Sequence, residues 1–200
     1  MKGSLIIVGF FVLGTICGVC HLLPFDIAET NISYYALCAL MFSVGLSVGN
    51  YPQTLKNFRS LNPRLVFLPI MTILGTLAGS AAVSLILTHR SITDCLAVGS
   101  GFGYYSLSSI FITEYKGAEL GTIALLANIF REMMALLGAP LIRKYFGKLA
   151  PISAAGVNSM DVLLPSITQY SGKDVIPIAI FHGILIDMSV PVFVSFFCNL

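Results

Sequence analysis

Apolar residues along this chain gather into seven blocks separated by short polar breaks: Ser4–Leu23, Ser33–Val48, Leu65–Leu87, Ile92–Thr113, Leu120–Ile142, Ile152–Ile167 and Val175–Cys198. The breaks carry turn chemistry, such as Leu23-Pro24, Asn50-Tyr51-Pro52, Asn62-Pro63, Ala150-Pro151 and Ser171-Gly172. Several blocks approach the roughly 20 residues that a helix needs to cross the hydrocarbon core of a bilayer. The first block follows a single Lys and imitates a signal peptide. It lacks a small-x-small cleavage site before His21 and Pro24, and is read as a retained helix. No linker or low-complexity tract interrupts the series, so residues 1–200 are expected to form a single transmembrane domain, an all-α bundle of about seven hydrophobic segments.

Two blocks break the pattern. Ile92–Thr113 contains GSGFGYYSLSS, with three Gly and four Ser in the eleven residues from Gly99 to Ser109. Ile152–Ile167 is short and polar in its middle, with Asn158, Ser159, Asp161 and Pro165. Irregular backbone survives at membrane depth only when it is buried in protein or lines a wet cavity. Paired Gly/Pro-interrupted segments are the sequence mark of an inverted-repeat transporter's binding site. Segments 92–113 and 152–167 are therefore expected to be re-entrant or broken.

Composition and charge then fix the environment. Hydrophobic residues make up 56% of the chain and charged residues 10%, against about 25% charged in an average soluble protein. A soluble surface cannot be covered with so few charges. The net charge of +2 is too small and too scattered for a nucleic-acid surface. Cytoplasmic loops favour Lys and Arg, and two basic clusters stand out: Lys56, Arg59, Arg64 and Arg143, Lys144, Lys148. Seven crossings would put these clusters on opposite faces. Two re-entrant hairpins, one entering from each face, leave five crossings and put both clusters and the N-terminus inside. Asp26, Glu29 and the C-terminus then lie outside. Two broken helices that do cross are the alternative, with one cluster outside.

Candidate chemistry concentrates in the irregular blocks and the fifth one. Asn128, Arg131 and Glu132 share one helix face by their i, i+3, i+4 spacing. Glu132 stands near mid-segment, where a charge costs roughly 2.5–3.5 kcal/mol to insert; such residues face a bundle interior or a water-filled path. Asp161, at the expected tip of the second hairpin, is a second candidate and a possible partner for Arg131. Asn158, Ser159 and Asp161 are also ordinary helix N-cap residue types. GSGFGYY lacks the GxGxxG spacing and the Lys-Ser/Thr of a phosphate loop. It is expected to be a bent hairpin with exposed backbone, where Tyr104, Tyr105, Ser106 and Ser108 supply hydroxyls, and Gly101, Gly103, Tyr105 and Ser106, with Asn158, Ser159 and His182, line a substrate path. His182 reads foremost as a hydrogen-bonded core histidine and secondarily as a path residue, and Asp187 carries no motif. Cys17-Gly-Val-Cys20-His21 matches a haem-attachment pattern without a soluble pocket around it. The five Cys have no disulfide-framework spacing. No nucleophile–base pair or metal-ligand cluster is visible, so neither an enzyme nor a cofactor is expected.

Ser100–Ser109 (SGFGYYSLSS), Asn128–Ala135 (NIFREMMA), Ala154–Pro165 (AAGVNSMDVLLP) and Val175–Leu185 (VIPIAIFHGIL) together resemble the bacterial lysine exporter (LysO) family, in order and spacing, over nearly the whole chain. The resemblance implies a multi-pass protein of the bacterial cytoplasmic (inner) membrane. It implies export of L-lysine and its toxic analogue thialysine, with Glu132 matching an essential intramembrane acid; moving Lys⁺ outward against an inside-negative potential then requires a steep lysine gradient or proton antiport, for which Glu132 is the expected carrier. Full-length members carry further N-terminal helices with a second acidic residue. Those helices have no counterpart here, so a separate small membrane subunit is expected to supply them, and a homo-oligomer is possible. The rival expectations are a transporter of a carboxylate or an ion, with Arg131 as ligand, and a structural or haem-bearing membrane subunit.

Overall fold

A computed structural model of the chain describes residues 63–87 and 89–200, together with Leu13, Gly14, Ile16, Cys17, Tyr35, Ala39 and Phe42, which are helical. The blocks Ser4–Leu23 and Ser33–Val48 otherwise lie outside the described residues, as do Cys20, His21, Asp26, Glu29, Lys56 and Arg59. The chain divides into two compact units, Met1–Ala39 and Leu40–Leu200. Seven α-helices are described in the second. They are α1 (Phe67–Ser84), α2 (Ile92–Gly99), α3 (Tyr105–Lys116), α4 (Ala118–Phe146), α5 (Ala150–Ala155), α6 (Leu164–Ser171) and α7 (Ile176–Cys198). Short 3₁₀ turns occupy Pro63–Val66, Gly156–Met160 and Lys173–Val175. No strand occurs among the described residues, and the fold is all-α.

Three helical stretches are long and apolar enough to cross a membrane: Phe67–Ser84, Ala118–Phe146 and Lys173–Cys198. They match three of the uninterrupted blocks. The 29 residues of α4 extend about 43 Å at 1.5 Å per residue, so its ends project past a roughly 30 Å hydrocarbon core. The sequence places this helix at Leu120–Ile142. It begins earlier, directly after Gly117, and ends later, on the polar Arg143-Lys144 turn.

Both irregular blocks double back. The first runs in along α2, whose N-terminus is capped by the Ser91 hydroxyl accepting from Asp94 N–H at 3.0 Å. It turns at Ser100–Tyr104 and returns along α3. Its two ends meet: Arg90 pairs with Glu119, and Lys116 Nζ lies 3.8 Å from Asp94. The second block runs in along α5, turns through the 3₁₀ segment and residues 161–163, and returns along α6. Lys148 Nζ lies 2.5 Å from Asp174 across its ends. Exposed pairs of this kind add little stability, but they mark which ends are level. The hairpins enter from opposite ends of α4. The C-terminal end of α7 shares the end of the first hairpin, since Cys198 lies within electrostatic reach of Lys116 and Asp94. At the other end, Leu68 of α1 packs on a core of Ala135, Ile152, Ala155, Leu163, Ile167, Val175 and Ala179.

Candidate functional site

The hairpin tips meet each other beside the middle of α4. Val157 N–H donates to the Phe102 carbonyl at 3.1 Å, joining the second tip to the first. Phe102 is fully buried and stacks edge-on against Phe193 of α7, with ring centroids 6.2 Å apart. Phe102 has φ 45° and Gly103 φ 96°, so the chain reverses within two residues. Gly156, at φ 63°, brings the second tip against that reversal. A Cβ at Gly156 would stand 2.1 Å from the Phe102 oxygen, so only glycine permits the contact.

Two asparagines satisfy the polar backbone at this junction. Gly103 N–H donates to Asn128 Oδ1 at 2.8 Å, and Asn128 Nδ2 donates to the Ala124 carbonyl at 2.9 Å. Asn158 Nδ2 lies 3.4 Å from the Gly103 carbonyl and donates to Glu132 Oε2 at 3.1 Å. The exposed tip expected from the sequence is therefore corrected: Gly101, Phe102 and Gly103 are buried and hydrogen-bonded. The reason is cost, since an unpaired buried amide forfeits roughly 1–3 kcal/mol. Glu132 is 2% exposed. One helix face thus carries both the tip-binding Asn128 and the acid, as the i, i+4 spacing requires.

Arg131 is held by partners other than Asp161. Its Nε donates to the Ala154 carbonyl at 3.2 Å, Nη2 to the Ser153 carbonyl at 3.3 Å and Nη1 to Thr76 Oγ1 at 3.3 Å. The fork caps the C-terminal carbonyls of the interrupted helix α5, groups that have no intrahelical partner and carry partial negative charge. The anion Arg131 needs is this helix end, and the expected Arg131–Asp161 pair is not formed. Asp161 is exposed and accepts from the N–H of Val162 at 2.5 Å. Nor do Asn158, Ser159 or Asp161 cap α6, whose N-cap is Leu163 without a side-chain bond.

The remaining sequence candidates distribute around this junction. His182 is fully buried; Nδ1 lies 3.2 Å from Ser159 Oγ and Nε2 2.9 Å from Thr72 Oγ1, tying α7 to the second tip and to α1. Tyr105 lies within electrostatic reach of Glu132 and Asp161, and Tyr104 of Asp161 and Asp187. Ser106 is half-buried at the start of α3, and Ser108 donates back to the Tyr104 carbonyl at 2.8 Å. A cavity of about 970 Å³ runs from Arg90 and Asp94 past Gly79 and Ser80 to Asn128 and Arg131. No run of the sequence announces it, because its walls combine small residues of α1 (Gly75, Thr76, Gly79, Ser80) with Val98 of α2 and Leu120 and Ile123 of α4, which are distant in the chain. Among the described residues no group of three or more His, Cys, Asp or Glu could hold a metal ion.

Long apolar helices and two interrupted hairpins meeting tip to tip over a buried acid define a polytopic helical membrane protein with a polar junction at its centre. The sequence profile of the lysine exporter LysO family matches residues 8–198, and the chain belongs to that family, one of transporters rather than enzymes. It is 35% identical over 195 residues to lysine exporter LysO of Escherichia coli K12, covering 97% of this chain and 64% of that protein. It thus spans just under two thirds of that relative. It is 32% identical over 196 residues to a Haemophilus influenzae Rd protein provisionally named a lysine exporter, covering 98% of this chain and 96% of that one. No solved structure matches the chain.

Proposed function

We propose that this chain exports L-lysine, and thialysine with it, as a secondary transporter in which Glu132 carries the lysine cation and a proton in alternation. The observation that carries the proposal is the placement of Glu132, buried where both hairpin tips meet and bonded to Asn158 of the second. An acid at this depth is costly unless it is used. The names of the two relatives support the substrate. Arg131 favours a cation over a carboxylate, because its guanidinium is already engaged by the Ser153 and Ala154 carbonyls and Thr76.

In this scheme an ionised Glu132 holds Lys⁺ from the inner face, releases it outside, and takes a proton for the return. At Glu132 taken by itself, one Lys⁺ out for one H⁺ in moves no net charge. That matters because lysine leaving alone against an inside-negative potential costs about 2.3 kcal/mol per 100 mV. Arg131 then holds the second hairpin in place, while Asn128 and Asn158 hold the tips around the acid. We further propose that the Lys148–Asp174 end is cytoplasmic. Arg143, Lys144, Lys148 and Lys173 gather there against Asp174, whereas Arg90 and Lys116 at the other end face Asp94, Glu114 and Glu119. That charge bias favours the first end for the cytoplasm.

The test is thialysine tolerance in bacteria that lack their own lysine exporter and express this chain. The wild type is expected to protect, and Glu132→Gln to give no protection at equal membrane abundance. Full protection by the Gln variant would refute the role of Glu132.

A further inference from the structure

The two hairpins end alike. Gly117 closes the first with φ 94°, ψ 165°, and Gly172 closes the second with φ 94°, ψ 164°. Fifteen residues beyond each glycine stands a buried carboxyl group: Glu132 on α4, 2% exposed, and Asp187 on α7, 3% exposed. The same spacing of 55 positions separates Phe102 from Val157, the pair whose backbone bond joins the tips. Each acid lies near both tips, since Tyr105 beside the first is in reach of Glu132 and Asp161 of the second is in reach of Asp187. Glu132 follows the first hairpin and binds Asn158 of the second tip. Asp187 follows the second hairpin and lies within electrostatic reach of Tyr104, at the first tip.

Asp187 Oδ1 has no hydrogen-bond partner among the described residues. The titratable groups facing it are Asp161 of the second tip and Tyr104 of the first. A buried carboxylate facing a second carboxylate takes up a cation. Among the described residues no group of three or more His, Cys, Asp or Glu surrounds it, and the cation that a lone buried carboxyl group takes up is the proton. Asp161 is exposed, and Tyr104 lies within electrostatic reach of both acids. In an inverted repeat the two halves exchange conformations as access alternates, and Asp187 then opens to water as Glu132 does.

We propose that Asp187 is a second proton site, so that two protons enter for each lysine cation that leaves. This rests on the export reading above. Two positive charges move in and one moves out, a net inward charge of one. An inside-negative potential therefore drives export: 100 mV multiplies the sustainable outward gradient by about 50-fold. Exchange through Glu132 alone would be indifferent to voltage.

The experiment uses right-side-out membrane vesicles from cells lacking their own lysine exporter, loaded with labelled lysine and potassium. Valinomycin in potassium-free medium makes the lumen negative. Efflux through the wild type should accelerate, Asp187→Asn should lose that response while exchanging lysine for lysine at the wild-type rate, and Asp187→Glu should regain it. The proposal is overturned if wild-type efflux ignores or is slowed by the potential. That arm needs no variant to fold. It is also overturned if Asp187→Asn keeps the full voltage response, or loses lysine exchange at normal abundance. No lysine movement by the wild type would instead remove the export reading, and this inference with it.

Discussion

Replacing Gly156 by Ala tests whether the tip-to-tip junction is what positions the site. The added methyl would stand 2.1 Å from the Phe102 carbonyl oxygen and 3.4 Å from the Arg131 guanidinium. Ordinary contact needs over 3 Å, so the tips must separate by about 1 Å. Overpacking of this kind costs roughly 1–3 kcal/mol. The backbone at φ 63°, ψ −128° adds about 1–3 kcal/mol for a residue with a Cβ. Together these exceed the roughly 0.5–1.5 kcal/mol that the Val157–Phe102 bond contributes, so the junction opens and Asn158 withdraws from Glu132. A misplacement near 1 Å can cost about a hundredfold in rate. Gly147→Ala is the control: its φ is 96°, but nothing lies within 4 Å of the new methyl. Labelled lysine efflux, normalised to membrane abundance, should fall about a hundredfold in Gly156→Ala and stay within a few-fold in Gly147→Ala. Wild-type efflux in Gly156→Ala would refute the reasoning.

Three further outcomes follow from the same geometry. Asn158→Ala removes the hydrogen bond to Glu132 and should slow lysine efflux about ten- to hundredfold, the equivalent of roughly 1.5–3 kcal/mol for a bond to a charged group; unchanged efflux would detach Asn158 from the site. Arg131→Lys cannot reach Ser153, Ala154 and Thr76 together, and should lower the melting temperature of the detergent-solubilised protein, whereas equal melting would mean the fork is not needed to hold α5. Single cysteines placed at Lys173 and at Lys116 should be labelled from the cytoplasmic and outer faces respectively by a membrane-impermeant maleimide, and the reverse pattern would overturn the proposed orientation.

Much of this was legible from the residues, for identifiable reasons. Uninterrupted apolar runs read directly as α1, α4 and α7, because in lipid the backbone must satisfy itself within each helix. The Gly/Ser and Asn/Asp interruptions located both hairpins. The i, i+4 spacing put Asn128 and Glu132 on one face. The partners of Arg131 were not legible, because they are Thr76 and a pair of backbone carbonyls, which no side-chain pattern announces. The tip was expected to be exposed because composition reports glycine and serine but not the asparagines, distant in sequence, that cover them. Asp187 drew no notice from its neighbours; its place emerges only when Gly117 and Gly172 are seen to end two hairpins in the same conformation.

The measurement closest to the central claim is proton movement tied to lysine movement. Vesicles carrying the chain, with a pH-sensitive dye in the lumen and lysine at high concentration inside, should acidify internally as lysine leaves. Glu132→Gln at equal abundance should show neither lysine efflux nor lumenal acidification. Acidification that persists with lysine efflux in Glu132→Gln would contradict the account, because lysine and proton would then be exchanging without the carboxylate at the junction of the two hairpins.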